Sequence, residues 1–168
     1  GSAMRGVAYW EEQLDQRIFT VRGEFLYALN AGNGEPISGF GDQGRVDLKQ
    51  GLGPLMQYYS WTSAPLVIRD VIIVGSAMVP QDSASTMSGP PGDVRGFDAR
   101  TGELKWTFHV IPQEGEPGIE TWEDESWRYS GAGNVWSLMS ADPELGYVYL
   151  PTSSATNDMY GGHRPGDT

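Results

Sequence analysis

The chain has 168 residues, 39% of them hydrophobic, with a formal net charge of −11 and no cysteine. An acid excess without a basic cluster argues against nucleic-acid binding, which depends on Lys and Arg set against phosphates. Disulfides, zinc–thiolate sites, iron–sulfur clusters and a cysteine nucleophile are excluded, and no apolar run approaches the ~20 residues of a membrane-spanning helix. Residues 1–4, GSAM, read as a vector-derived scar, and residues 5–168 as one domain. The motif RGVAYW opens directly at Arg5, as expected of a piece of a longer protein. Residues 17–21 and 25–29 flank a short Arg-Gly-Glu turn and are predicted as a β-hairpin. Residues 31–60 carry little strand character, with RVDLKQGL at 45–52 reading as a short turn or helix. Residues 66–69 and 71–76 form a second predicted pair around Asp70, the latter opening on the β-branched run VIIV. Residues 78–93 are rich in Ser, Pro and Gly and read as a loop. Residues 94–98 and 103–109 form a third pair. Residues 112–133 form a long loop, with six acidic and no basic residues between 114 and 125, expected to be solvated. Residues 135–140 and 147–150 flank the turn ADPELG and form a fourth pair.

The third pair is the most informative. VRGFDARTGELKW, residues 94–106, packs strand, turn and strand into thirteen residues. Asp98 can hydrogen-bond the backbone of its own turn, and Gly102 supplies the positive φ. Trp106 is expected to staple one sheet to the next. A weaker copy, FLYALNAGNGEPI at 25–37, has Asn30 and Gly34 in the corresponding places and no Trp. Two copies of one unit point to an all-β repeat fold, a partial β-propeller of antiparallel four-stranded blades. A closed ring of six to eight blades needs a longer chain, and this one is expected to supply roughly half. Three connections exceed the ~12–15 residues usual in compact domains. They are expected to build a site on one face of the scaffold, the alternative being plain decoration.

RGVAYW, VRGFDARTGELKW and NVWSLMSADPELGYVYLPTSSATNDMYGGHRPGD at 134–167 resemble the quinoprotein dehydrogenases. The subgroup most similar to these motifs is the membrane-associated glucose dehydrogenase type, which faces the periplasm. The resemblance covers nearly the whole chain in the family's order. It implies an eight-bladed propeller in the full-length protein, pyrroloquinoline quinone (PQQ) as cofactor, Ca²⁺ or another divalent cation beside it, and an alcohol or sugar as substrate. Such a cofactor needs an aromatic platform, cationic or hydroxyl partners for its carboxylates, and a cation to polarise the quinone carbonyl.

By resemblance, Trp136 lies under the PQQ plane; the alternative is a core tryptophan on a strand. Arg5 matches the arginine of the family's RG-x-AY element and pairs with a cofactor carboxylate, unless it is only a solvated residue beside the scar. Trp10 stands where some relatives have a substrate-side histidine. Thr62, in WTSAP, matches a threonine whose hydroxyl bonds the cofactor; otherwise it caps a loop before Pro65. Asp82 falls where glucose-type relatives carry an Asp-Asn pair near cofactor and metal, although here the local sequence is Gln-Asp-Ser with shifted spacing. Thr152, first of a Thr-Ser-Ser run, matches a strand end that presents oxygens to cofactor or metal, with a plain turn as the alternative. His109 and His163 receive no role. The resemblance places the family's catalytic Asp in later blades, so no catalytic residue is assigned.

Two readings follow. In the first, the chain is a fragment of a PQQ-dependent alcohol or sugar dehydrogenase, incomplete and inactive alone. In the second, it is a non-catalytic propeller-like binding or assembly module. Either way, open blade flanks predict a homo-oligomer.

Overall fold

The computed structural model describes residues 6–78 and 87–167. Arg5 and Asp82, two of the candidate site residues, lie outside the described residues.

Strands β1 (Ala8–Glu12), β2 (Asp15–Arg22), β3 (Phe25–Asn30) and β4 (Arg45–Asp47) form a four-stranded antiparallel sheet in chain order. The hairpin expected around Gly23 is β2–β3, with Val21 opposite Leu26 and Phe19 opposite Ala28. Period-two alternation puts Phe19, Val21, Leu26 and Ala28 on one buried face. The segment expected as a turn or helix opens instead as β4, because Val46 pairs across from Leu26 and packs on the same core. A partner strand overrides the weak local preference of a short polar run.

Next come β5 (Tyr59–Ser60), β6 (Leu66–Ile68), β7 (Val71–Val74), β8 (Ala77–Met78), β9 (Val94–Asp98) and β10 (Leu104–Phe108). β6, β7, β9 and β10 make a second four-stranded antiparallel meander, while β5 pairs with β8 beside it. β11 (Ser140–Asp142) and β12 (Tyr147–Tyr149) pair as a third, two-stranded unit. The described residues therefore hold two four-stranded sheets and two strand pairs, with long connections taking up the remaining length. The fourth predicted pair begins later than expected: residues 135–139 are not strand.

The central strand β7 of the second sheet is buried on both faces, and its sequence, VIIV, reads accordingly as an unbroken apolar run. Ile72, Val74 and Phe97 pack toward Trp10, Phe19, Leu26, Phe40 and Leu48. Ile73, Val94 and Ile68 face the other way, onto Val135, Met139, Ala141 and Val148.

The turn unit recurs three times, not two. Asn30 Oδ1 accepts from the amides of Gly32 and Asn33, Asp98 Oδ1 from Arg100 and Thr101, and Asp142 Oδ1 from Glu144 and Leu145. Each ends four residues later on a positive-φ glycine: Gly34 (77°), Gly102 (77°) and Gly146 (74°). The turns also serve as docking points. Arg17 Nη1 donates to the carbonyls of Ala99 (3.0 Å) and Arg100 (2.7 Å) in the second sheet's turn. Arg69 donates in the same way to the carbonyls of Pro143 and Glu144 in the third.

Trp106 departs from expectation. Its ring lies across Gly96, where a Cβ would stand 2.2 Å from Trp106 Cε2, yet 38% of the residue is exposed. β10 is the outer strand and all five of its residues are exposed, so a neighbouring strand supports the indole on one side only.

Candidate functional site

The site is built at strand ends. Residues 131–135 are buried throughout and run between two parts of the chain. On one side the Asn134 side-chain amide donates to the Ser76 carbonyl at 2.8 Å, and Ala132 N donates to the Pro90 carbonyl at 2.8 Å. On the other, Ser153 N donates to the Asn134 carbonyl at 3.0 Å, and Gly133 N to that of Ser154 at 3.1 Å. Two glycines permit the approach: a Cβ at Gly75 would meet the Val135 carbonyl oxygen at 2.3 Å, and one at Gly92 the Ala132 carbonyl oxygen at 2.2 Å.

Trp136 stands at the end of this segment, 53% exposed. It presents a large aromatic face to solvent beside a buried, hydrogen-bonded stretch of backbone. Thr152 precedes Ser153 on the adjoining segment and is exposed. Thr62 is half-buried and follows two residues after Ser60, which pairs with Ala77 next to Ser76. The structure thus ties the Trp136 segment to Ser76 on one side and to Ser153 and Ser154 on the other, while the Thr62 segment meets Ala77 through the β5–β8 pair.

Trp10 lies elsewhere. It is 5% exposed, packed in the core between the first two sheets, with Nε1 donating to Asp70 Oδ1 at 3.3 Å. The guanidinium groups of Arg17 and Arg100 lie 5.4 and 5.3 Å from its ring centroid. Arg100 also pairs with Glu12 and Asp70, and these acceptors raise its pKa. A core tryptophan so enclosed does not face the candidate site.

The acidic loop is exposed but anchored. Glu123 N donates to the Pro165 carbonyl at 3.0 Å and Asp167 N to that of Thr121 at 3.1 Å, tying the run to residues 165–167. Tyr129 Oη donates to the His163 carbonyl, and the His163 ring meets Tyr160 edge-on at 5.0 Å. His109, left without a role by its isolation in the sequence, has two carboxylate neighbours. Its Nδ1 lies 2.8 Å from Glu116 Oε1 and its Nε2 3.9 Å from Asp93 Oδ2. The Gln113 amide and His109 hold Glu116 below the usual carboxylate range. Burial pushes Asp93 up, against the opposing pull of His109 and Arg95. The spacing of His109 and Glu116, seven residues apart across a turn, was the only sign in the sequence. Among the described residues no group of three or more His, Cys, Asp or Glu is placed to hold a metal ion, and no helix is long and apolar enough to cross a membrane.

Comparison with known proteins agrees with this architecture. The family model for the glucose/ethanol/alcohol dehydrogenase β-propeller domain, a PQQ family, matches residues 1–168. The quinate/shikimate dehydrogenase (quinone) of Acinetobacter baylyi is 35% identical over 153 residues, covering 89% of this chain and 18% of the relative. The glycerol dehydrogenase large subunit of Gluconobacter oxydans is 33% identical over 80% of this chain and 18% of its own length. The quinoprotein glucose dehydrogenase of Escherichia coli is 28% identical over 95% of this chain and 21% of its own. A quinohemoprotein alcohol dehydrogenase structure from Pseudomonas putida superposes with a TM-score of 0.67 at 23% identity, over 92% of this chain and 21% of that one. It therefore shares the fold. The chain spans about a fifth of the length of these relatives. Matched along its whole length, with repeated antiparallel sheets of the expected kind, the chain belongs to the PQQ-dependent quinoprotein dehydrogenase family and forms part of its β-propeller.

Proposed function

We propose that the chain supplies one wall of a PQQ site in a dehydrogenase that oxidises the hydroxyl of an alcohol or sugar. The observation that carries this reading is the exposed indole of Trp136 at the end of a buried, hydrogen-bonded segment. The substrate class rests on the names of the relatives, which act on glycerol, glucose and quinate or shikimate.

When bound, PQQ supplies an ortho-quinone that accepts hydride. Trp136 supports its plane. The hydroxyls of Thr62 and Thr152, on segments that flank the Trp136 segment and residues 76–77, offer hydrogen bonds to its oxygens. Arg5 and Asp82 complete the cradle on the strength of their motifs alone, one as a carboxylate partner and the other as an oxygen donor. A divalent cation such as Ca²⁺ belongs to this reading by family resemblance, and no step is assigned to it. The proton-abstracting carboxylate is taken to lie in later blades, and a periplasmic setting likewise follows from resemblance. Self-association through the open flanks, where Tyr147 and Tyr149 of β12 are 59% and 54% exposed, is part of the same reading. Light scattering should show a dimer or larger at micromolar concentration.

The test is PQQ binding in the presence of Ca²⁺, followed by tryptophan fluorescence. Trp136→Ala should weaken binding by roughly two- to tenfold, the ~0.5–1.5 kcal/mol of an aromatic stack, while Trp106→Ala leaves it unchanged. Equal affinity in wild type and a folded Trp136→Ala variant would remove the platform. Supplied with cofactor and cation, the chain alone should turn over roughly 10²-fold or more below an intact enzyme, for want of a general base. No binding by any variant would favour the non-catalytic module.

A further inference from the structure

His109 stands where the second sheet meets the stretch of backbone that leads to Trp136. It directly follows β10, and Asp93 directly precedes β9. Phe108 pairs with Val94, so His109 and Asp93 lie side by side at one end of the sheet. The chain neighbour of each reaches the buried stretch 132–134. A Cβ on Gly92, beside Asp93, would meet the Ala132 carbonyl oxygen at 2.2 Å and Asn134 N at 2.4 Å. A Cβ on Gly133 would meet Cγ1 of Val110, beside His109, at 2.9 Å.

Polar partners rather than packing hold the His109 ring. Its side chain is 32% exposed and lines a pocket of about 230 Å³ together with Asp93, Arg95, Gly75 and Ser76. Open space on one side would let the imidazole swing away from the junction, and two carboxylates oppose this. Glu116 Oε1 lies 2.8 Å from Nδ1, and since a carboxylate only accepts, Nδ1 carries the proton. Glu116 Oε2 also accepts from the Gln113 amide at 2.7 Å, and Gln113 Nε2 donates to the Ile111 carbonyl at 2.9 Å. These bonds close residues 109–116 into one turn around Val110. On the other side of the ring, Nε2 faces Asp93 Oδ2 at 3.9 Å. Arg95 is engaged by the carbonyls of Leu48 and Gln50. Among the described residues, His109 alone brings a basic nitrogen within ion-pair distance of the Asp93 carboxylate.

We propose that His109 is a positioning residue for the cofactor platform: held between Glu116 and Asp93, it keeps Val110 and Gly92 against residues 132–134 and so fixes where Trp136 stands. This rests on the reading of Trp136 as a support for PQQ. In this role His109 acts through the backbone and touches no reacting atom.

The experiment compares the 168-residue chain with His109→Ala and His109→Asn. Amide hydrogen exchange is read without cofactor, and PQQ affinity in the presence of Ca²⁺ by tryptophan fluorescence. In His109→Ala the amides of Ala132 and Gly133, bonded to the carbonyls of Pro90 and Ser154, should exchange at least about tenfold faster, while Leu26 and Ala28 in β3 keep their rates. PQQ should bind about threefold more weakly. His109→Asn sets an amide nitrogen near the place of Nδ1, retains the bond to Glu116, and should restore most of both. In a Trp136→Ala background, His109→Ala should change the affinity no further, because the group it positions is gone. Unchanged exchange at Ala132 and Gly133 in a folded His109→Ala variant would overturn the proposal. So would equal acceleration along the whole chain, which marks plain destabilisation, or additive losses of affinity in the double variant. If His109→Ala does not fold, Glu116→Ala, at a half-exposed side chain, carries the same expectations. Absence of PQQ binding by the wild type would defeat the platform reading, and the exchange rates then decide alone whether His109 holds the segment.

Discussion

The two faces of the second sheet are made of the same residue types and packed to different completeness. Toward the first sheet, Ile72 and Val74 meet a full four-stranded partner, and the buried ring of Phe40 closes the space against Phe19 at 5.6 Å. Arg17 then locks the sheets by its bonds to Ala99 and Arg100. Toward the third unit, Ile73 and Val94 meet a strand pair together with Val135, Met139 and Val110, and the tyrosines of β12 stand exposed. Apolar content in the strand is equal on the two sides. What differs is how much matter lies opposite, and packing energy depends on that.

Adjacent isoleucines test the difference most strongly. Ile72 and Ile73 are both fully buried, on opposite faces. Ile72→Ala should cost about 4 kcal/mol and Ile73→Ala about 2 kcal/mol, because the thinner side can collapse into the cavity. Urea denaturation of the two variants measures this, and equal losses would break the comparison. The two arginine docks come next. Arg17→Ala should cost about 1–3 kcal/mol by leaving carbonyls unpaired at a buried guanidinium, whereas Arg69→Ala, at an exposed turn, should stay within about 0.5 kcal/mol. A smaller effect is expected at Trp106, where partial exposure limits the loss in Trp106→Ala to about 1–2 kcal/mol. A loss as large as that of Ile72→Ala would show that a further strand or blade covers the indole in solution.

The smallest effect is on pH, and it has opposite signs in two places. At the first interface, hydrogen bonds from Arg100 and Arg17 lower the pKa of Glu12 and Asp15. Their stabilisation is present above the ordinary carboxylate values and is lost as pH falls through the lowered ones. At the pocket, burial raises Asp93 above 3.8. The folded state there holds its proton more tightly than the unfolded chain, so stability is lost as pH rises from the ordinary value through the raised one. Denaturation midpoints from about pH 3 to about pH 6 should therefore fall for wild type relative to Asp93→Asn as pH rises, and rise for wild type relative to Asp15→Asn. Parallel profiles for wild type and Asp93→Asn would remove the burial argument for that carboxylate.

Local rules alone determined a good part of this protein. Alternation in FTV and FLYAL, with Gly23 between them, defines the β2–β3 hairpin; VIIV reads as a doubly buried strand; Asp98 with Gly102, and Asn30 with Gly34, specify the turn before any neighbour is known. Each depends on backbone geometry within a few residues, where side-chain type and conformation are directly linked. The family motifs were legible for the same reason, as contiguous strings. Only the tertiary structure decided that RVD is a strand, that Trp10 is enclosed while Trp106 is half open, and that residues 131–135 are held by distant carbonyls. It alone set His109 between Glu116 and Asp93. Burial and pairing are properties of what lies opposite a residue, and in this chain the opposite surface comes from segments tens of residues away.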